Sequence, residues 1–253
     1  FRSWRDAPGL ALQCSRGREH LGDLADRVSH AAADSRFNAT ELGPLGYPPA
    51  AVIGVFRQAL PQAPAARGHG DAMRLLFVGR GAPNKCQHDA ILALGALAQI
   101  GVDAELRLVG SWGGNRAYFD RCVRLARRTG VDARVIVLGS VDDGALASEY
   151  ATADVFLCLS EHEGYCVPLL EAMAADLPIV GYAAGAVPET MGDAGLLLHD
   201  KTPSVVAEAV AALSAGALDE RIRNGRRTQQ QQHSGEAIGE RLREFTRGFA
   251  GAC

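Results

Sequence analysis

Six short runs of apolar residues recur between residues 74 and 199, and they are nearly uninterrupted rather than alternating with polar residues. The runs cover residues 74–79, 104–110, 134–139, 154–160, 177–182 and 195–199. Strands that are buried on both faces of a parallel sheet read this way, because helices cover both sides of the sheet. The pattern predicts an α/β fold with a doubly wound, Rossmann-like parallel sheet.

Segments with helical spacing separate these runs, as right-handed crossover connections require. The predicted helices place Ile91, Leu94 and Ala98 on one face and Phe119, Val123 and Ala126 on another, contain Leu146 and Tyr150, begin near Pro168, and cover residues 203–213 and 221–249. Ligands of such folds bind at the carboxyl ends of the strands, so the site is expected there.

The chain before residue 73 has a different residue pattern, without the recurring apolar runs. Ser35 is suited to cap a short helix that Gly43 ends, between two short extended pieces. A stretch rich in Pro, Gly and Ala follows, which is typical of a linker. We therefore predict an N-terminal segment (1–58), a linker (59–72), the main domain (73–215) and a C-terminal helical segment (216–253).

The amino-acid composition limits the range of possible functions. The 26 basic and 29 acidic side chains give a net charge of −3, which argues against nucleic acid as a partner. The six cysteines have no metal-ligand spacing and are interpreted as reduced thiols of a cytosolic protein. Because the first residue is Phe1 rather than methionine, we expect the natural protein to be longer.

Two glutamates mark the end of the fourth apolar run. Glu163 lies in the loop and Glu171 is expected in the first turn of the next helix. Between them, the amides of Tyr165, Cys166 and Val167 are helix-start donors that can bind a phosphate, and carboxylates pair well with sugar hydroxyls. The alternative is an acidic helix start that only stabilises the helix dipole.

Two cations mark the end of the first apolar run. Arg80 follows Gly79 directly, and Lys85 enters the next helix. An arginine fork and a lysine point charge together suit a diphosphate. The alternative is a pair of ordinary surface cations.

These motifs, in this order, resemble the C-terminal domain of the family 4 retaining glycosyltransferases with the GT-B fold. The resemblance is dense over residues 73–215 and weaker over residues 27–56. It is carried by G-R-x-x-P-x-K (79–85), L-V-G-S (108–111), A-D-V-F-L (153–157), E-G-Y-x-x-P-x-x-E-A-M-A (163–174) and G-A-V-P-E (185–189).

The resemblance implies a role for each candidate residue. The catalytic candidates are Glu163, Arg80 and Lys85, and the substrate-binding candidates are Gly79, Val141, Tyr165, Cys166, Val167 and Glu171. Arg80 and Lys85 would hold the donor diphosphate, the backbone near Val141 the base, and Glu171 the ribose. Glu163 and the amides beside it would hold the sugar and the distal phosphate. The family needs no metal and no other cofactor, because these cations and amides replace the ion.

Two positions depart from the family pattern. Cys86 and Cys166 stand where the family often has glycine. If the position of Cys166 needs a positive φ, its side chain would cause strain. A reactive thiol at a helix start, with a lowered pKa, is an alternative to simple packing for Cys166. His88 and His162 flank the site and are interpreted as surface or supporting residues rather than bases.

We expect a hexosyltransferase that moves a sugar from a nucleoside diphosphate to an acceptor in polysaccharide, lipopolysaccharide or glycolipid assembly, with retention. The alternatives are a sugar-nucleotide epimerase of the same fold and a non-catalytic nucleotide-sugar-binding fragment. A dehydrogenase is disfavoured because no G-x-G-x-x-G motif opens a strand–helix turn. The expected location is the cytoplasm or the inner face of the membrane, with peripheral association through an N-terminal domain.

Overall fold

The computed structural model describes residues 8–56, 72–214 and 220–250, and its centre is a parallel sheet of six strands. The strands are β3 (Met73–Val78), β4 (Ala104–Val109), β5 (Val135–Gly139), β6 (Val155–Cys158), β7 (Ile179–Tyr182) and β8 (Leu196–Leu198). Their spatial order is β5-β4-β3-β6-β7-β8. All six predicted strands and the doubly wound topology are confirmed.

Helices alternate with these strands and cover both faces. They are α3 (Gln87–Gln99), α4 (Arg116–Thr129), α5 (Asp143–Thr152), α6 (Val167–Ala174), α7 (Val187–Met191) and α8 (Pro203–Ser214). Each face of the sheet carries its own apolar core. Along β6, for example, Leu157 packs into one core and Phe156 into the other. This two-sided burial explains the uninterrupted apolar runs.

Two predicted helix faces are shifted by a residue. Ala98 is exposed, and Leu97 is buried in its place beside Leu94. In α4 the buried positions include Tyr118 and Cys122, whereas the predicted Phe119 and Val123 are only half-buried. Each helix buries one stripe of residues against the sheet, and a small rotation of the helix about its axis changes which residues belong to that stripe.

The predicted single helix over residues 221–249 is wrong, because two helices occupy this segment. They are α9 (Glu220–Gln232) and α10 (Gly235–Ala250). The hydroxyl of Ser234 accepts a hydrogen bond from the amide of Ala237 (3.2 Å) and so caps the second helix. A cap residue followed by Gly235 marks a new helix start.

The first described element of the N-terminal segment is α1 (Pro8–Ala25), which the hydrophobic pattern did not predict. The segment continues with β1 (Ala31–Ala33), α2 (Arg36–Leu42) and β2 (Ala50–Val52), and the two strands pair in parallel. The predicted cap is confirmed, because the Ser35 hydroxyl accepts from the amide of Asn38 (3.0 Å). The predicted linker, apart from Ala72, lies outside the described residues.

No helix in the described part of the chain is long and apolar enough to cross a membrane.

Candidate active site

The loops after β3 and β6 meet at the carboxyl edge of the sheet. The amide of Glu161 donates to the carbonyl oxygen of Asn84 (2.8 Å), which joins the two loops. The ammonium of Lys85 lies 2.7 Å from both carboxylate oxygens of Glu163. Both side chains are mostly buried, at 22% and 9% exposed. The structure therefore brings together two residues that are 78 positions apart in sequence.

A third loop, after β7, holds the backbone of Glu163. The amide of Ala186 donates to the carbonyl oxygen of Glu163 (2.8 Å). Gly185 has a φ of +57°, and a β-carbon there would overlap the same carbonyl oxygen. Glycine is required both by the left-handed backbone and by this close approach.

We expect Gly185→Ala to destabilise the chain by about 3 kcal/mol, because it combines backbone strain with steric overlap. Gly130→Ala is the matched control. Gly130 has a φ of +71° but no atom within 4 Å of its β-position, so it should lose only about 1 kcal/mol. Urea denaturation measures both. Equal losses would show that the contact with Glu163 is not tight.

The start of α6 faces the same loops and has open hydrogen-bond donors. Cys166 caps the helix with a φ of +69°, and Val167 is its first residue. Within the described residues, the amides of Tyr165, Cys166 and Val167 donate to no acceptor. These donors lie at the positive end of the helix dipole, where an anion is stabilised.

The positive φ considered for Cys166 is present, and Cys86, for which none was predicted, also has a positive φ, of +59°. The hypothesis of a reactive Cys166 is wrong. The Cys158 thiol, 3.5 Å away, and burial raise the pKa of Cys166 well above its usual range. A buried thiol of this kind is poorly nucleophilic.

Glu171 lies in the second turn of α6 rather than in the first, and it is 7% exposed. The Tyr150 hydroxyl donates to its carboxylate over 2.8 Å. This hydrogen bond fixes the orientation of the carboxylate. The motif that contains Glu171 gave no indication of this partner on α5.

The remaining predicted residues, Gly79, Arg80 and Val141, follow the carboxyl ends of β3 and β5. Gly79 continues the sheet, since its amide donates to the carbonyl oxygen of Val109 (2.8 Å). Arg80 is exposed and forms no ion pair with any residue that the structure describes. Val141 is half-buried in the loop after β5. Trp112 packs so closely on Gly81 that a β-carbon there would overlap its ring.

Tyr165 joins the site to the N-terminal segment and to the residue that follows α9. Its hydroxyl lies 2.5 Å from Nδ1 of His233 and 3.3 Å from the carbonyl oxygen of Val55. Burial raises the pKa of the Tyr165 hydroxyl. The Thr190 hydroxyl donates to the Tyr165 carbonyl oxygen (2.6 Å). The loop that carries Glu163 is therefore fixed by the N-terminal segment and by the end of α9.

The N-terminal segment also touches this loop directly. The Ser35 hydroxyl donates to the carbonyl oxygen of Gly164 (2.6 Å). Glu189, in α7, accepts from the amide of Arg36 with both carboxylate oxygens (3.0 and 2.9 Å). The roles of Ser35 and Glu189 in this contact could not be predicted from the sequence, because each residue also has an ordinary local function.

The fold and this site together define a Rossmann-like domain of the GT-B glycosyltransferase type. The chain belongs to the family of glycosyl transferases group 1, whose family model matches residues 64–230, more than half of the chain. The match contains all nine candidate residues named from the sequence.

Curated relatives share this domain. The chain is 30% identical over 210 residues to the GDP-mannose-dependent alpha-(1-6)-phosphatidylinositol monomannoside mannosyltransferase of Mycobacterium tuberculosis (strain ATCC 25618 / H37Rv). The aligned region covers 76% of this chain and 54% of the relative. It is 33% identical over 151 residues to a D-inositol 3-phosphate glycosyltransferase of Actinosynnema mirum, covering 57% and 36%. It is 36% identical over 115 residues to the N-acetyl-alpha-D-glucosaminyl L-malate synthase of Bacillus anthracis, covering 44% and 29%. The chain thus spans between 29% and 54% of these relatives' lengths.

Solved structures show the same fold. Anabaena Alr3699/HepE, in complex with UDP and glucose, superimposes with a TM-score of 0.79 at 22% identity, covering 92% of this chain and 67% of that chain. Sucrose-phosphate synthase from Thermosynechococcus elongatus has a TM-score of 0.74 at 23% identity, covering 92% and 61%.

Proposed function

We propose that this chain binds the nucleoside diphosphate sugar of a retaining hexosyltransferase. The observation that carries the proposal is the position of the Lys85–Glu163 pair beside the open amides of Cys166 and Val167. One lysine and a row of helix-start amides form a cradle for a diphosphate, and the carboxylate beside them can accept hydrogen bonds from a sugar. The resemblance to a structure that holds UDP and glucose supports this assignment.

Charge explains how the pair would work. In the free protein Lys85 neutralises Glu163, so the carboxylate does not repel an incoming phosphate. When the diphosphate arrives, Lys85 is shared between the phosphate and Glu163, and the amides of Val167 and its neighbours take the distal oxygens. Arg80, exposed at the rim, is free to turn its guanidinium toward the same phosphates.

Leaving-group stabilisation is the main contribution that we assign to these residues. Negative charge grows on the diphosphate as the bond to the sugar breaks, and preorganised donors stabilise that charge. Because Lys85, Arg80 and the helix-start amides supply the positive charge, we propose that transfer needs no metal. Glu163 would orient the sugar.

We assign the nucleoside to Glu171 and to the backbone near Val141. Glu171, held by Tyr150, would accept hydrogen bonds from the ribose, and the backbone near Val141 would contact the base. The acceptor would be a glycan or a lipid-linked sugar, as the name of the mycobacterial mannosyltransferase suggests. We place the reaction at the cytoplasmic side of the membrane.

A thermal-shift panel of UDP, GDP, ADP and their sugars tests the proposal. A ligand present at 100 times its Kd stabilises the folded state by about 2.7 kcal/mol. The best donor is then assayed for sugar release and transfer, which separates a transferase from a binding-only fragment. Absence of any shift across the panel would contradict donor binding.

We expect Glu171→Gln to weaken ribonucleotide binding by about tenfold, since a hydrogen bond to a charged group is worth about 1.5–3 kcal/mol. Tyr150→Phe is the companion variant, because it keeps the carboxylate but removes its anchor, and it should cause a smaller loss. Calorimetry with the ribonucleotide and its 2′,3′-dideoxy analogue measures both. If the wild type binds the two ligands equally, the ribose assignment is wrong.

A further inference from the structure

Two cysteines and Glu163 form a compact cluster beneath the candidate donor site. Cys158 is the last residue of β6, Cys166 caps α6, and Glu163 lies in the loop between them. The two sulfur atoms are 3.5 Å apart. The two thiols and the nearest carboxylate oxygen all lie within 4.8 Å of one another, and all three residues are buried.

The spacing of this cluster suits a tetrahedral thiophilic ion. Zinc binds thiolate sulfur at about 2.3 Å, so two sulfurs of one tetrahedron are separated by roughly 3.8 Å. The observed separation of the thiols is close to that edge. Two sulfurs and one oxygen select Zn²⁺ over Mg²⁺ and Ca²⁺, which prefer oxygen ligands.

We propose that Cys158, Glu163 and Cys166 form a zinc site whose occupation excludes the nucleotide-sugar donor. On binding, each thiol releases its proton to solvent and its sulfur donates an electron pair to the ion. One carboxylate oxygen of Glu163 is the third ligand, and a water molecule takes the fourth position. With Lys85 protonated beside Glu163, the filled cluster is electrically neutral, which lowers the cost of burying the ion.

Exclusion of the donor follows from shared residues, and this part of the inference rests on the proposed function. Zinc would bind the Glu163 carboxylate, which we assign to the sugar. It would also bind the sulfur of Cys166, whose amide we assign to the phosphate. Two ligands that compete for the same groups weaken each other by the same factor. Zinc therefore acts as an inhibitor, and the transfer reaction proposed above proceeds without it.

A second thiol cluster provides the matched control. Cys86, His88 and Asp89 also lie within 4.8 Å of one another. There, however, the ammonium of Lys201 lies 3.2 Å from the Cys86 sulfur and 2.7 Å from the Asp89 carboxylate. Lys201 thus contacts the sulfur as well as the carboxylate, and an ion would have to displace it from both, so this cluster should not bind zinc. In the first cluster Lys85 contacts the Glu163 carboxylate and, within the described residues, no sulfur atom.

The experiment is a zinc titration of the full chain against a chromophoric chelator, with Co²⁺ absorption as a second readout of thiolate ligation. Cys166→Gly and Cys158→Ala remove one ligand each, and the positive φ at residue 166 suits glycine. Both should weaken zinc binding by more than the roughly 10–100-fold that loss of an outer-sphere partner costs. Cys86→Gly makes the same backbone change at a φ of +59° and should bind zinc as the wild type does. Thermal unfolding in the presence of a metal chelator verifies that all variants are folded.

Three results would overturn the site: no zinc binding by the wild type, unchanged binding in Cys166→Gly, or loss of binding in Cys86→Gly. Donor exclusion is measured by titrating the nucleoside diphosphate with and without zinc, with nucleotide added to zinc alone as the blank. If the affinity for the nucleoside diphosphate is the same with and without zinc, the proposal that zinc excludes the donor is wrong. If no nucleotide binds even without zinc, the proposed function and exclusion both fail, while the zinc site is decided by its own titration.

Discussion

Replacing Lys85 by alanine is expected to weaken nucleoside diphosphate binding by at least about 100-fold while leaving nucleoside binding nearly unchanged. The lost charge-assisted hydrogen bond to phosphate accounts for about 1.5–3 kcal/mol. The variant also leaves Glu163, whose side chain is only 9% exposed, without its counterion, so the carboxylate repels the incoming phosphate. Each 1.4 kcal/mol corresponds to a tenfold loss of affinity.

Calorimetry with the best nucleotide and its parent nucleoside measures this loss. Glu163→Gln in the Lys85→Ala background should recover part of the affinity, because it removes the repelling charge. Arg124→Ala, which removes an exposed cation on α4, controls for bulk charge. An equal loss for nucleotide and nucleoside in Lys85→Ala would show that Lys85 does not contact the phosphates.

Acidification is expected to destabilise the chain through His88, the second residue of α3. Burial lowers the pKa of His88 to about 4, against an ordinary value of 6.5, although the nearby Asp89 carboxylate opposes the change. Between these two values the unfolded chain binds a proton that the folded chain does not. The free energy of unfolding therefore falls as pH drops from 6.5 to 4, by up to about 3 kcal/mol.

The His88 contribution is isolated by comparison with His88→Asn, which can still form a hydrogen bond with the hydroxyl of Tyr118. In the wild type Nδ1 of His88 lies 2.8 Å from that hydroxyl. Urea unfolding between pH 7.5 and 4 should be less pH-dependent in His88→Asn, whereas His30→Asn, at an exposed position, should follow the wild type. Parallel curves for wild type and His88→Asn would contradict the assignment. The position is buried, so of the two interpretations given for His88, a surface residue or a supporting residue, the first is wrong.

The sheet could be predicted because its strands are buried on both faces, a property that the residue pattern records directly. Helix boundaries were harder to predict where a single polar residue caps the helix. Ser234 separates α9 from α10 through a single cap, and the strongly helical residues on both sides conceal the break. The helix α1 was missed because its residues lack a clear apolar stripe.

The candidate site was predictable where a motif carries the chemistry. Lys85 and Glu163 follow different strands, and a parallel sheet brings the ends of neighbouring strands together. The contacts made through Ser35 and His233 could not be predicted, because they depend on how distant segments pack on the loop. Arg80 follows β3 as expected, but its side chain is exposed and forms no ion pair within the described residues.

A crystal structure of this chain with a bound nucleoside diphosphate would decide whether Lys85 and the amides of α6 bind the phosphates. We expect a phosphate oxygen about 2.7–3.1 Å from Nζ of Lys85 and another at the same distance from the amide of Cys166 or Val167. A nucleotide bound elsewhere, with Lys85 still paired only to Glu163 and the amides of α6 uncontacted, would contradict it.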